Sequence, residues 1–139
     1  MLKKISLILI IFLFINLKSS IADQIFIKVT VNDEIITSYD IQKEAYYLKF
    51  LNPKLSQVDQ NQILKLAKNS LINEIVKRKE IEKNLKIDGE SPLIDQYFQD
   101  LINRLNFENE KDFIDSLRLK KSYNFEEIRK KLHTEIMWN

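Results

Sequence analysis

His133 is the only histidine in the chain, and no cysteine occurs among its 139 residues. A histidine that acts as a general base needs a nucleophile and an orienting group beside it, and the sequence contains no Gly-x-Ser-x-Gly motif. Because His133 adjoins Leu132 in an apolar helical pattern, we predict a structural role for it. One histidine without cysteine also cannot form a typical zinc site. The sequence therefore predicts no catalytic residue and no metal site.

Cofactor binding is not predicted either. A phosphate-binding loop is rich in glycine, and Gly89 is the only glycine in the chain. The pair Asp88-Gly89 lacks the further oxygen ligands at the spacing of a calcium-binding loop, so it indicates a turn. These absences favour a binding protein over an enzyme.

Aromatic side chains are the residues whose chemistry is most informative. They recur along the helical part of the sequence, and the candidates for contact with a substrate are Tyr46, Tyr47, Phe50 and Trp138. Neighbouring helical residues diverge by about 100°, so Tyr46 and Tyr47 are not expected to be equally buried. Core packing would explain any one of these rings. An exposed apolar surface that binds other polypeptides would explain the set.

The N-terminus has the pattern of a secretory signal. Lys3 and Lys4 precede the apolar segment 5–17, which is shorter than the about 20 residues of a membrane span, and small residues lead to a cleavage site after Ala22. The expected exported domain covers residues 23–139, with 19 basic and 20 acidic side chains. This balance gives no basic surface for nucleic acid. Retention of the apolar segment as a membrane anchor is the alternative.

Two short segments have strand character. Ile25 to Val31 alternates apolar and polar residues, Glu34 to Ile36 is a second apolar run, and Asn32-Asp33 supplies a turn between them. A lone hairpin is marginal in water, so we expect another element to pack against it.

The remainder of the chain predicts about five amphipathic helices, which makes the fold mainly α. Helix starts are indicated by Thr37 with Asp40, by Ser56 with Asp59, by Ser91-Pro92 and by Asn124. Each helix has one expected apolar face. From the first helix to the fifth, these faces contain Ile41, Ala45, Leu48 and Leu51; Ile63, Ala67, Leu71, Ile75 and Val76; Leu93, Ile94, Tyr97, Phe98, Leu101, Ile102 and Leu105; Phe113, Ile114 and Leu117; and Phe125, Ile128, Leu132 and Ile136.

The order of these elements resembles the N-terminal core of the SurA family, exported chaperones of bacteria that have an outer membrane. The resemblance covers about residues 25–139. It is carried by "IKVTVNDEIITSYDIQKEAYYL", by "LINEIVKRKEIEKNLKI", by "IDQYFQDLINRLNF", by the short "DFIDSL" helix and by "NFEEIRKKLHTEIMWN". None of these segments is a catalytic motif, so the resemblance is one of architecture.

The resemblance implies an ATP-independent periplasmic holdase that binds unfolded outer-membrane proteins, with no small-molecule substrate and no cofactor. Family members usually carry parvulin-type prolyl isomerase domains and a final segment that completes the core. Neither is present in this sequence, so no isomerase residue is carried over. The fold is then expected to be incomplete at its C-terminus or to complete itself by self-association. Two alternatives stay open: the N-terminal part of an isomerase whose catalytic domains lie beyond residue 139, and a membrane-tethered interaction module.

Overall fold

The chain begins its folded part with a hairpin in the computed structural model, which describes residues 26–88, 90–119 and 122–139. Strand β1 is Ile27–Val31 and strand β2 is Glu34–Thr37, paired antiparallel with Val31 opposite Glu34. Asn32 has a φ of 53° in the turn, a left-handed conformation that asparagine tolerates well. The predicted signal segment 1–22, Ile25 and Gly89 lie outside the described residues.

Five α-helices follow the hairpin in the described part of the chain, as predicted. They are α1 (Ser38–Leu51), α2 (Gln60–Ile81), α3 (Pro92–Arg104), α4 (Glu110–Leu119) and α5 (Phe125–Trp138), with a 3₁₀ helix at Pro53–Gln57 between α1 and α2. The predicted fold class, mainly helical with a short N-terminal hairpin, is confirmed. Within the described ranges, no helix combines the length and hydropathy that crossing a bilayer requires.

Side chains cap most of these helices as the sequence predicts. Thr37 and Asp40 form a reciprocal capping box at α1, and Asn124 forms one with Glu127 at α5. Ser91 caps α3 by accepting a hydrogen bond from the Ile94 N–H, with proline at the first helical position. Each cap satisfies backbone N–H groups that have no partner inside the helix.

Two helix boundaries differ from the prediction. Asp59 itself is the N-cap of α2, where its carboxylate accepts hydrogen bonds from the N–H groups of Asn61 and Gln62. Ser56 lies instead in the preceding 3₁₀ helix, so the prediction that these two residues form a Thr37-like cap pair is wrong. The absence of glycine and proline predicts that the same helix continues to about Leu85, but it ends at Ile81, whose carbonyl accepts hydrogen bonds from the N–H groups of Asn84 and Leu85 in the turn that follows.

Helix α3 ends in a Schellman motif without glycine. Asn106 has a φ of 60°, and the N–H of Phe107 donates to the carbonyl of Ile102 at 3.1 Å. The N–H of Asn106 donates to the carbonyl of Asn103 at 3.0 Å. Asparagine is one of the few residues that adopts this conformation at low cost. The turn directs Phe107 back toward the end of α1.

The hairpin packs on α1 and α2, which supply the partner that it needs. Its core cluster, here called the hairpin cluster, centres on Ile36, which is 2% exposed, with Ile41 and Ala45 of α1. Helix α2 contributes Ile63, Ala67 and Ile75 to it. Val76 was predicted on this apolar side but is 48% exposed, because one further residue rotates the side chain about 100° away from Ile75.

An ion pair fixes the turn end of the hairpin to α2. The guanidinium of Arg78 lies 2.5 Å from the Glu34 carboxylate, and the Lys79 ammonium lies 3.0 Å from it. Burial alone would raise the pKa of Glu34, but hydrogen bonds from Arg78 and Lys79 outweigh it and hold the pKa below its ordinary value. Glu34 therefore stays ionised and sets the position of the hairpin along α2.

The second core cluster is aromatic and lies among α1, α3, α4 and α5. Phe98 and Phe113 meet edge to face with ring centroids 5.5 Å apart, and both are buried. The other buried members of this aromatic cluster are Tyr47, Phe50, Leu101, Ile102, Leu117, Tyr123 and Ile128. Helix α1 contributes to both clusters, so it connects the hairpin half of the molecule to the helical half.

Candidate functional site: an aromatic groove and a buried glutamate

A groove opens where the end of α1, the 3₁₀ helix, the end of α3 and the end of α4 come together. We call it the aromatic groove, and its lining residues are Tyr46, Lys49, Phe50, Pro53, Ser56, Leu105, Phe107 and Leu119. Its volume of about 610 Å³ falls within the range of about 300–1,000 Å³ typical of ligand-binding clefts. The groove is therefore large enough to take apolar side chains of another molecule.

Phe50 and Phe107 form the floor of the aromatic groove. Their rings stack with centroids 5.6 Å apart, and each also meets Phe113 edge to face at 5.4 and 5.5 Å. These contacts fix the two rings in place, since offset and edge-to-face pairs are the favoured aromatic geometries. The floor is thus preformed by the core and does not have to reorganise to bind.

The rim of the groove carries apolar side chains that the core does not cover. Leu119, the last residue of α4, is 85% exposed, and Tyr46 is 39% exposed. Tyr46 lies one helical turn before Phe50 on α1, so its ring stands beside the floor. An exposed leucine next to stacked aromatic rings is the kind of surface that marks an interaction site.

Tyr39 lies on the same side of α1 as Tyr46. It precedes Tyr46 by seven residues, which places the two side chains within about 20° of each other around the helix and about 10 Å apart along it. Both are exposed. Tyr39 and Tyr46 are therefore two exposed rings on one side of α1, with Gln42 and Lys43 between them.

The structure brings together only two of the four predicted contact residues. Tyr46 lies on the rim and Phe50 forms the floor of the same groove. Tyr47 is buried in the aromatic cluster and meets Tyr123 edge to face at 5.2 Å. Trp138 is exposed at the end of α5, with the Lys77 ammonium 6.0 Å from its ring centroid, and does not line the groove. The expectation that Tyr46 and Tyr47 differ in burial is confirmed.

A buried carboxylate escaped the sequence analysis. Glu44 of α1 is 1% exposed, and its side chain accepts hydrogen bonds from the Ser70 hydroxyl at 2.7 Å and the Tyr123 hydroxyl at 2.6 Å. The Lys131 ammonium lies 3.0 Å from the same carboxylate and also pairs with Glu74. These five residues, the Glu44 cluster, join α1, α2, α5 and the segment before α5.

The charged and polar groups of the Glu44 cluster have their partners inside the cluster and in the aromatic rings beside it. The Lys131 ammonium lies 4.5 Å from the ring centroid of Tyr123 and 5.7 Å from that of Tyr47. Burial raises the pKa of the Tyr123 hydroxyl well above its ordinary value, and the neighbouring Glu44 carboxylate raises it further. Burial likewise raises the pKa of Tyr47. Tyr123 therefore stays protonated and donates to Glu44, so we interpret this cluster as structural.

Glu44 could have been found from its position in the helical pattern. It falls within about 60° of Ile41 and about 40° of Leu48 around α1, which places it on the apolar face. A charged residue on such a face is nearly always paired when it is buried. The partner residues, 26 to 87 positions away, could not be found in this way because only the folded chain brings them close.

His133 lies on the buried side of α5, with its Nδ1 3.8 Å from the Asp88 carboxylate. The backbone N–H of Glu90 is the main cause that lowers the pKa of Asp88 below its ordinary value. Among the residues that the structure describes, no group of three histidine, cysteine or acidic side chains is arranged to hold a metal ion.

Comparison with known proteins adds no relative: no protein-family model, no curated protein and no solved structure matches this chain.

Proposed function

We propose that this protein is an ATP-independent periplasmic chaperone that holds unfolded outer-membrane proteins. The observation that carries the proposal is the aromatic groove, with its preformed floor of Phe50 and Phe107 and the exposed Leu119 and Tyr46 on its rim. Strands of outer-membrane barrels alternate apolar and polar residues and carry aromatic girdles. A groove that binds apolar side chains without recognising a particular sequence could bind such a segment at many different positions along its length.

The expected affinity suits a carrier that releases its client without nucleotide hydrolysis. Burial of roughly 600 Å² of apolar surface contributes about 15 kcal/mol at about 25 cal/mol per Å². Lost rigid-body freedom and ordering of the bound segment remove much of this gain. A net value of about −8 kcal/mol corresponds to a micromolar dissociation constant. Binding of this strength is reversible, so a client could pass on to its assembly site.

The sequence pattern of residues 1–22 supports the location. A basic start, an apolar segment and small residues before the cleavage site are typical of export across the inner membrane. Periplasmic clients arrive unfolded, and ATP is not available there, which agrees with a holdase that uses only surface contacts.

The first test measures aggregation of a urea-unfolded outer-membrane barrel protein on dilution, by light scattering, in buffer without nucleotide. We expect the exported form of the protein, in several-fold molar excess, to lower the scattering. The decisive variant is Leu119→Ser, which should lose most of this protection because it removes the exposed apolar rim. Tyr46→Ser should act in the same direction.

Leu85→Ser is the matched control. Leu85 is 54% exposed but does not line the groove, so the same chemical change there should leave protection unaltered. Far-UV circular dichroism of each variant checks that the fold is retained. Unchanged scattering with the wild-type protein, or equal effects of the two leucine variants, would refute the proposal.

A further inference from the structure

A second surface, formed by β1, α1 and α2, combines basic and apolar residues. β1, α1 and α2 surround a depression lined by Lys28, Ser38, Ile41, Gln42, Leu64, Lys65 and Lys68. Ile41 is buried and Leu64 half-buried, so the floor is apolar while the three ammonium groups stand around it. We call this surface, together with Phe26 at its border, the basic face.

Among the residues that the structure describes, the three lysines of the basic face have no carboxylate partner, a property that they share with Lys49, Lys54 and Lys111. Within the described part of the chain, no ion pair includes Lys28, Lys65 or Lys68, whereas Lys43, Arg78 and others are paired with glutamates. The expected exported domain has a net charge near zero. The positive charge is therefore a local feature of this face and not a consequence of the overall composition.

An exposed aromatic side chain borders the same face, and the next residue along the chain is also exposed. Phe26 is 53% exposed and Ile27 is 65% exposed. The N–H of Phe26 donates to the Ser38 Oγ at 3.0 Å and its carbonyl accepts from the Ser38 N–H at 2.8 Å, which fixes the Phe26 backbone beside the depression. The Lys28 ammonium lies 5.4 Å from the Phe26 ring centroid. Lysines beside exposed aromatic and aliphatic groups are typical of surfaces that contact lipid headgroups.

The chain order places this face close to the apolar N-terminal segment. Leu17 ends that segment, and Phe26 follows nine residues later. Nine residues span at most about 30 Å even when fully extended. At whatever stage of export the segment lies in a bilayer, Phe26 at the border of the basic face is therefore held within about 30 Å of the end of that segment.

We propose that the basic face binds the surface of a bilayer that contains anionic phospholipids. Lys28, Lys65 and Lys68 contact the headgroup phosphates, and Phe26 enters the boundary between headgroups and acyl chains. The aromatic groove has none of its lining residues in common with this face, so a client can be held while the protein rests on the membrane.

The test uses the exported protein and sedimentation with vesicles of phosphatidylcholine that contain about one third phosphatidylglycerol. Vesicles of phosphatidylcholine alone give the baseline. We expect binding above this baseline that falls when the salt concentration rises from 0.1 to about 0.5 M, because salt screens exposed charges. Each lysine near an anionic surface contributes about a fivefold gain in affinity, so the triple variant K28Q/K65Q/K68Q should bind about a hundredfold more weakly.

The triple variant K54Q/K86Q/K111Q is the matched control, since it removes the same charge from exposed positions outside the basic face. It should bind like the wild type, and Phe26→Ser should weaken binding with no change in charge. Equal loss in both triple variants, or no binding above the phosphatidylcholine baseline, would overturn the proposal. If the basic face bound soluble polyglutamate and did not bind the vesicles, the proposal would be overturned. The partner of this face would then be an acidic polypeptide.

Discussion

Tyr46 and Tyr47 show how much depends on a single residue of helix rotation. Their side chains point about 100° apart, so Tyr46 reaches the aromatic groove while Tyr47 enters the core. Glu44, two positions earlier than Tyr46, is directed inward and must find partners because an unpaired buried carboxylate is very costly. Ser70, Tyr123 and Lys131 supply them. At this scale, the site and the core are made by neighbouring residues of one helix.

The substitution Glu44→Ala tests the structural role of this cluster. We expect the free energy of unfolding to fall by about 2–3 kcal/mol, because the Tyr123 hydroxyl loses its acceptor and Lys131 keeps only Glu74 as a carboxylate partner. Urea unfolding followed by circular dichroism measures the change. Glu80→Ala is the control: Glu80 pairs with Lys83 on the surface, so its loss should cost no more than about 0.5 kcal/mol. A cost below about 1 kcal/mol for Glu44→Ala would contradict the interpretation.

At the scale of elements, helix starts decide where each apolar face points. The register of α2 is set by Asp59 and the 3₁₀ helix before it, and this register brings Ile63 and Ala67 under the hairpin. Both Ser56 and Asp59 are residue types that cap helices, so the sequence alone could not distinguish them. The 3₁₀ helix begins after Asn52 with Pro53 and includes Ser56. Asp59, which follows this helix, is therefore the residue that caps α2.

The two candidate caps can be compared directly by substitution. Asp59→Ala should lower the free energy of unfolding by about 1 kcal/mol, because two N–H groups at the start of α2 lose their acceptor. Ser56→Ala should change it by less than about 0.5 kcal/mol, since Ser56 is exposed and caps no α-helix. Thermal or urea unfolding gives both values. A larger loss of unfolding free energy for Ser56→Ala than for Asp59→Ala would contradict this assignment and indicate that Ser56 is the cap of α2.

At the scale of the whole molecule, α1 joins the two core clusters. Ile41 and Ala45 pack in the hairpin cluster, Tyr47 and Phe50 pack in the aromatic cluster, and Glu44 between them is bound to Lys131 of α5. Neither cluster can lose its α1 contacts without disturbing the other. The described part of the chain should therefore unfold as one cooperative unit.

Ile36→Ala tests this coupling. Ile36 is 2% exposed in the hairpin cluster, so the truncation should cost about 3 kcal/mol. Fluorescence of Trp138, the only tryptophan, reports on the far end of α5, and far-UV circular dichroism reports on all helices. If the clusters are coupled, both signals shift to the same lower midpoint. A Trp138 transition that stays at the wild-type midpoint would show that the two clusters unfold separately.

The sequence by itself determined the elements of this protein. Except for the start of α2 and the exposed Val76 on it, local signals were sufficient for this: alternation and Asn32-Asp33 for the hairpin, Thr37, Ser91 and Asn124 for helix starts, and apolar spacing for the helix faces. These signals act within a few residues through backbone conformation and capping hydrogen bonds, so a linear sequence contains them in full.

Only the tertiary structure decided which apolar residues stay exposed and which polar residues meet. Leu119 and Phe113 are both apolar residues of α4, yet one is on the rim of the groove and the other is fully buried. Glu44 lies next to Lys131 although 87 positions separate them. Exposure and such pairings depend on how helices far apart in the sequence pack together, and the angles and offsets of that packing arise from many side chains at once.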